Sequence, residues 1–354
     1  MTSADAAAAH HATSGGVVTP EPAWAGALDR GTEQRVVERL RRACDARARV
    51  VLAGHVGPDG DALGSLLALH LALRAAGAVT VPTIGEEPLS VPAPLDQLPG
   101  AADLVPVDAL PRAGEVELLV SVDAASAERL GTVAGYLEAS VATIVLDHHD
   151  RTVPFGDLRL IAPDAAATVQ LVDRLLRALA LPLTREVATC LYVGLVTDTG
   201  RFGFQATDDS VHELAGRLLG VGVDQAWWHQ ALFATRSAAE LTLLGHALAR
   251  LTEVPDVALV HAHVTAEELA ACDDASLEGL VDLLRSAENA EVALALRPAP
   301  DGTWRGSLRS RGSVDVGRIA AALGGGGHRL AAGFTTEGTP QGVADRVVAL
   351  LREG

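Results

Sequence analysis

The residues with the most chemical potential in this chain are acids and imidazoles that end apolar runs. His55-Val-Gly-Pro-Asp59-Gly-Asp61 sets one imidazole and two carboxylates on a tight turn. Asp123 closes the apolar run 118–122, Asp147-His148-His149 follows the run 143–146, and Asp198 stands in Thr197-Asp198-Thr199-Gly200. Oxygen and imidazole donors without a thiolate suit Mn²⁺, Mg²⁺, Fe²⁺ or Co²⁺ better than a structural zinc. Alternate positions in a turn can serve different ions, so Asp59 and Asp61 need not share one. Each segment also has a plain structural reading. The Asp-Gly turn can cap a helix, with Asp61 as its N-cap, and Asp123 and Asp198 can be capping acids at element ends. Asp147-His148-His149 resists that reading, because burying three unpaired ionisable groups costs several kcal/mol.

The elements that must position these residues read as strands alternating with helices. Residues 35–46, 62–75, 165–179 and 185–196 carry helical apolar spacing, and Gly77 closes the second of them. Residues 49–56, 79–84, 118–122 and 143–146 are short apolar runs of strand length. That alternation predicts an α/β fold built on a largely parallel sheet with helices on both faces. In such a sheet the C-terminal strand ends form one edge, and ligands bind there. His55, Asp59, Asp61, Asp123, Asp147, His148 and His149 can therefore converge although they are far apart in the chain. Helices over about 208–251 read as a connector. A second α/β unit starts near Val257, with strands over 257–264, 291–296 and 303–309 and helices over 276–286, 316–323 and 341–352. The expected division is a disordered tail over 1–30, a metal-binding domain over 31–205, a helical connector over 206–253 and a smaller α/β substrate-binding domain over 254–354.

Composition narrows the function classes. With 354 residues, two domains are the better expectation. Hydrophobic residues make up 49% and aromatics only 3%, so the core must be built mainly from Leu, Val and Ala. No uninterrupted apolar run reaches the roughly 18 residues of a membrane span, so no membrane partner is expected. The N-terminus lacks a basic start followed by an apolar stretch, which argues against a secretory signal. Cys44, Cys190 and Cys272 are scattered without CxxC spacing, which argues against a disulfide framework and for the cytoplasm. The net charge of −17 disfavours long duplex nucleic acid, which needs a broad basic surface. A small anionic substrate remains open if metal ions or grouped arginines supply local positive charge. All 28 basic residues are arginine.

The order of these motifs is more specific than any one of them. His-x-x-Pro-Asp-x-Asp-Ala-x-Gly-Ser from His55 to Ser65, then Asp123, then Asp147-His148-His149, then Thr197-Asp198-Thr199-Gly200 resembles the DHH phosphoesterase superfamily. Gly324-Gly-Gly-Gly327-His328 followed by Ala331-Ala-Gly333 resembles the DHH-associated substrate domain. Together they are similar to the NrnA-like branch: oligoribonucleases and phosphatases of 3′-phosphoadenosine 5′-phosphate, with members that cleave cyclic or linear di-AMP. The resemblance covers roughly residues 33–350.

The resemblance implies a hydrolase with two Mn²⁺ ions, for which Mg²⁺ or Co²⁺ can substitute. His55, Asp59 and Asp123 would hold one ion, and Asp61, Asp123, His148 and Asp198 the other, with Asp123 as the bridge. Two cations about 3.5–4 Å apart can clamp a phosphoryl group and acidify a shared water. His149 would stabilise charge on the phosphoryl oxygens or donate a proton. Asp147, and more weakly Ser65, would orient neighbouring ligands. The second domain would bind substrate through Arg309 and Ser310, with Arg311 as a helper, and through the N–H groups of Gly325, Gly326 and Gly327 beside His328. A flexible glycine turn and solvent-facing strand arginines are the plainer alternatives. The implied partners are short oligonucleotides or dinucleotides, and the resemblance also raises a homodimer.

One departure is that the family often carries Phe-Arg-aromatic after Thr-Asp-Thr-Gly. Here the segment is Arg201-Phe202-Gly203-Phe204, with glycine at the arginine position and Arg201 or Arg236 as substitutes. A manganese-dependent pyrophosphatase is disfavoured by the absence of lysine. A processive single-strand exonuclease is disfavoured by the charge and length. A non-catalytic nucleotide sensor is disfavoured because every expected ligand is present.

Overall fold

The computed structural model describes residues 21–139, 141–150, 152–272 and 278–353. Contacts divide them into two units. The first runs to Gly222, apart from Pro92–Gln97 and His149–Val153, which group with the second.

In the first unit the order is α1 (Arg30–Asp45), β1 (Arg49–Gly54), α2 (Gly60–Ala75), β2 (Val79–Ile84), β3 (Leu118–Val122), the short α3 (Gly135–Glu138), β4 (Thr143–Asp147), β5 (Leu158–Ile161), α4 (Thr168–Ala178), α5 (Arg185–Asp198) and α6 (Asp209–Gly220). The five strands form one sheet in the order β2-β1-β3-β4-β5, and every pairing is parallel. The order reverses between β1 and β3, where crossovers leave on opposite faces and a crevice opens beyond the C-terminal strand ends. His55 follows β1 and Asp123 follows β3, so both stand at that crevice. β5 was not expected. It is short and mostly half-exposed, and its arginine breaks the apolar run that marks the other strands.

Helix α2 is buried on nearly every side, and Leu63, Leu66, Leu67, Leu69 and Leu73 are fully shielded. It reads as apolar all round because it lies against the sheet as well as α4 and α5. Close approach to α5 depends on glycine. A Cβ on Gly64 would stand 2.5 Å from the Cys190 carbonyl oxygen, and one on Gly194 would stand 2.5 Å from the Val169 side chain. A Cβ on Gly60 would strike Thr197. Small residues at these crossings let the two backbones touch and so bring the start of α2 beside the end of α5.

The second unit contains α7 (Gln225–His229), α8 (Ala238–Ala249), β6 (Thr252–Val254), β7 (Leu259–His263), α9 (Ala266–Ala270), α10 (Glu278–Arg285), β8 (Val292–Pro298), β9 (Trp304–Ser310), α11 (Val316–Ala322), β10 (Gly326–Gly327), β11 (Ala331–Thr336) and α12 (Pro340–Glu353). Its sheet runs β10-β11-β9-β8-β7-β6 and is antiparallel except for the β7–β8 pair. One core holds Leu280, Val281 and Leu284 of α10 with Leu243 and Leu244 of α8. The other holds Ile319 of α11 with Val343 and Val347 of α12. β11 escaped the sequence reading because Ala331-Ala-Gly333 has little β-propensity. The helices of the expected connector divide between the units: α6 falls in the first, α7 and α8 in the second.

The expected disordered tail needs correction over its last residues. Residues 1–20, with His10 and His11, lie outside the described residues. Ala23–Ala27 form a 3₁₀ turn with Trp24 buried, and Asp29 caps α1 by accepting from the N–H groups of Gly31 and Thr32. Among the described residues no helix is long and apolar enough to cross a membrane.

Candidate metal centre

The first three ligand candidates sit on the turn between β1 and α2. Asp59, rather than Asp61, is the N-cap: its Oδ1 accepts from the N–H groups of Asp61 at 3.0 Å and Ala62 at 2.9 Å. Its other oxygen stays available and lies 3.7 Å from His55 Nε2. Asp61 falls one turn inside, fully buried, where it meets the N-terminus of α4. Its carboxylate accepts from Thr168 N at 2.6 Å and Val169 N at 3.0 Å, with Ser65 Oγ at 3.5 Å. A helix N-terminus stabilises an anion through such unpaid N–H groups.

Asp123 links the two halves. Its Oδ2 lies 3.6 Å from His55 Nε2, while its Oδ1 lies 3.7 Å from His148 Nε2. Its backbone is left-handed, at φ 56°, a conformation that costs an ordinary residue energy and that Asp tolerates better than most. That turn aims the carboxylate outward from the strand end. Thr168 Oγ1 donates to Oδ1 at 2.9 Å and fixes its rotation.

His148 is oriented from behind. Its Nδ1 faces the Ala165 carbonyl at 3.1 Å, while Asp147 Oδ1 accepts from the His148 backbone N–H at 2.9 Å. The strand-end turn leaves Asp147 beside the main chain, so the ring is steered by a loop carbonyl. His148 Nε2 then faces Asp61 at 4.0 Å and Asp198 at 3.2 Å. Asp198 ends α5, where the helix dipole disfavours a carboxylate and a cation would relieve it.

Six side chains of the first unit thus form two overlapping ligand groups. His55, Asp59 and Asp123 have donor atoms within 4.8 Å of one another, and so do Asp61, Asp123 and His148. The electrostatics show what this cluster lacks. Burial disfavours a charged His55, yet Asp123 and Asp59 outweigh it and push its pKa up to about 10. Burial likewise opposes the charge on His148, but Asp123, Asp61 and Asp147 raise its pKa. Burial first, then Asp123 and Asp198, holds the Asp61 carboxyl well above the ordinary carboxylate range. The four carboxylates of Asp59, Asp61, Asp123 and Asp198 would be balanced by two divalent cations, with both imidazoles neutral. The donor set therefore fits a pair of divalent cations.

In the second unit the glycine run is less open than expected. Gly324, at φ 83°, ends α11, and the N–H groups of Gly324 and Gly325 bond the carbonyls of Ala321 and Ala320. This is a Schellman cap, which explains two of the four glycines by helix termination. Gly326–Gly327 pairs with β11, and a Cβ on Gly325 or Gly327 would strike that strand. His328 N–H bonds the Ala331 carbonyl, and its ring stacks on His149, which groups with this unit, at a centroid distance of 4.3 Å. Arg309 is half-buried on β9. Ser310 is buried and donates to Glu291 at 3.0 Å. Arg311 is spent on the carbonyls of Arg285, Ala287 and Glu288 behind α10, and Arg236 on Glu240.

The sequence reading missed Thr168 and the Ala165 carbonyl. Thr168 carried a faint sign, as a polar residue at a helix start. The Ala165 carbonyl carried none, since a backbone oxygen has no sequence identity.

Comparison with known proteins adds independent findings. Residues 49–195 match the DHH family, N-terminal domain, and residues 261–353 match the DHHA1 domain. The chain is 36% identical over 330 residues to the bifunctional oligoribonuclease and PAP phosphatase NrnA of Thermus thermophilus, covering 91% of this chain and 96% of that protein. It is 27% identical over 317 residues to the cyclic-di-AMP phosphodiesterase GdpP of Geobacillus thermodenitrificans, covering 83% of this chain and 46% of that one. Among solved structures, an exopolyphosphatase-related protein from Bacteroides fragilis superposes with a TM-score of 0.84 at 24% identity, covering 92% of this chain and 97% of that one. RecJ of Thermus thermophilus in complex with Mn²⁺ gives 0.56 at 19%, covering 91% and 55%.

Proposed function

The chain belongs to the DHH family of metal-dependent phosphoesterases, and from that premise we propose that it hydrolyses short oligonucleotides, dinucleotides such as linear or cyclic di-AMP, and 3′-phosphoadenosine 5′-phosphate. One observation carries the reading: the two oxygens of Asp123 face two different imidazoles, 3.6 and 3.7 Å away. A carboxylate so placed can bridge two cations, with His55 and Asp59 on one side and Asp61, His148 and Asp198 on the other. Divalent cations such as Mn²⁺, held there by these residues, would supply Lewis-acid polarisation of the phosphoryl group and a water acidic enough to ionise near neutral pH.

The chain's own residues do the rest. Asp59 stays in place because its Oδ1 caps α2, and Asp61 because two N–H groups of α4 hold it. Thr168 keeps Asp123 from rotating, and Ala165 fixes the His148 ring with Nε2 forward. Asp147 braces the strand-end turn through the His148 N–H. His149 holds a proton for the leaving oxygen or stabilises phosphoryl charge. Arg309, with a fork suited to phosphate, and His328 beside Gly326 and Gly327 bind the substrate's second phosphate. Ser310 would join only by exchanging its bond to Glu291, and Gly325 contributes by shape because its N–H is spent. The reading by relatives agrees, since NrnA and GdpP are named for these substrate classes.

The test is a panel with Mn²⁺: linear di-AMP, cyclic di-AMP, five-nucleotide RNA, 3′-phosphoadenosine 5′-phosphate and pyrophosphate. Turnover of the nucleotides is expected. Turnover of pyrophosphate alone would remove the substrate assignment.

A further inference from the structure

The peptide that joins Ala165 to Ala166 is held on both edges. On one edge the Ala165 carbonyl oxygen lies 3.1 Å from His148 Nδ1. On the other, the Ala166 N–H donates to Gln170 Oε1 at 2.7 Å. A peptide unit is rigid and planar, so fixing its N–H fixes the direction of its carbonyl. Gln170 is 3% exposed, and its amide is used from both ends. Its Nε2 donates to Ser210 Oγ at 3.2 Å, and Ser210 donates in turn to Asp208, the N-cap of α6, at 2.7 Å.

Helix capping alone does not account for this arrangement. Gln170 is the third residue of α4, the place from which a capping-box side chain turns back to the N–H of the cap residue. Here the cap residue is Ala167, which has no capping side chain, and Gln170 reaches one residue further back. The first N–H groups of α4, those of Thr168 and Val169, go to Asp61. The helix start is thus turned toward the metal ligands, and Gln170 fastens the loop before it.

We propose that Gln170 is a positioning residue of the metal centre: by holding the far edge of the 165–166 peptide it aims His148 Nε2 at Asp61, Asp123 and Asp198. The inference rests on the metal-centre reading above. His148 Nδ1–H donates to the carbonyl in the charged ring and in the neutral Nδ1–H form alike, so the effect does not depend on titration. Without the Gln170 oxygen the peptide is free to tilt, and the ring loses its aim while every ligand atom remains. Asp61 and Asp123 keep their own bonds to Thr168 and Val169, and His55 and Asp59 lie on the other side of Asp123. The loss therefore falls on one of the two cation positions.

The experiment uses the metal-free full chain as wild type, Gln170→Met, Gln170→Glu, His148→Ala and the double variant Gln170→Met with His148→Ala. Mn²⁺ is titrated into each by calorimetry, without substrate. Methionine keeps the length and removes both polar ends, whereas glutamate keeps an oxygen for the Ala166 N–H. For Gln170→Met we expect one Mn²⁺ bound as in wild type and the other roughly 10–100-fold more weakly, the range for losing a partner behind a ligand. Gln170→Glu recovers that affinity to within about threefold, because the acceptor is kept. In the His148→Ala background, Gln170→Met changes Mn²⁺ affinity by less than about twofold, since both substitutions act through one ring. A merely loosened fold weakens both ions and still adds its cost in that background, and this result overturns the proposal. A Gln170→Glu chain that folds yet loses an ion also overturns it, so the test stands even where Gln170→Met does not fold. A wild type that takes up two Mn²⁺, with Gln170→Met unchanged, defeats this inference alone. A wild type that takes up no Mn²⁺ defeats the metal-centre reading, and this one with it.

Discussion

Raising the pH should tighten manganese binding, and the geometry sets how steeply. Without metal, His55 is held protonated, with a pKa of about 10 that its two carboxylate neighbours sustain against burial. A cation on Nε2 must displace that proton. At pH 7 the gap from about 10 is about 3 units, so the displacement costs roughly 4 kcal/mol of intrinsic affinity. Apparent affinity at the His55 side should therefore rise about tenfold per pH unit between 6.5 and 8.5 and level off only near 10. His148 and Asp61, both raised, act in the same direction. The assay is calorimetric titration of the metal-free full chain with Mn²⁺ at pH 6.5, 7.5 and 8.5, in two buffers with different heats of ionisation. The buffer difference counts protons, and at least about one per chain should leave at pH 7.5. Affinity that stays flat across this range with no buffer-dependent heat would refute the reasoning. Stability follows the opposite sign without metal. A histidine raised above its unfolded value of 6.5 contributes stability that is fully present below about pH 6.5 and lost as pH rises through about 10. The metal-free chain should melt at a lower temperature at pH 9 than at pH 7.

Three substitutions separate the parts of the machine. Asp123→Asn should lower Mn²⁺ stoichiometry at both positions and reduce kcat by more than the roughly 10–100-fold expected of an outer residue; loss of only one ion, by metal analysis, would contradict the bridge. Arg309→Ala should raise KM by roughly 10–100-fold, the worth of a charge-assisted hydrogen bond, with full metal content; metal loss there would argue against a substrate role. Gly64→Ala forces a methyl against the Cys190 carbonyl and should destabilise the fold by about 1–3 kcal/mol in urea unfolding. Because α2 carries Asp61 and α5 carries Asp198, the same variant should weaken Mn²⁺ binding, and an intact affinity would show that the helix crossing does not set the ligand spacing.

The ligand types and the fold class were legible because both are written in local pattern. Apolar runs of strand length ending in Asp or His announce a parallel sheet and its working edge, whereas the glycines at 60, 64 and 194 show only in the folded chain that α2 and α5 must touch. The glycine run at 324–327 shows where that legibility stops. Its composition suggested a phosphate cradle, but half of it terminates α11, since a helix end and an anion compete for the same N–H groups. Arg311 was misjudged for a similar reason: an arginine satisfies helix carbonyls as readily as phosphate, and only neighbours decide.

The amino-acid order alone determined which donors exist and that they sit at element ends, because side-chain chemistry and local periodicity need no long-range information. Tertiary structure decided which oxygen of Asp123 faces which imidazole, that Asp61 meets the start of a helix more than a hundred residues away, and that His148 is turned by the Ala165 carbonyl. Those are relations between strand ends and helix termini from distant segments. They arise only when the sheet order brings β1, β3 and β4 side by side.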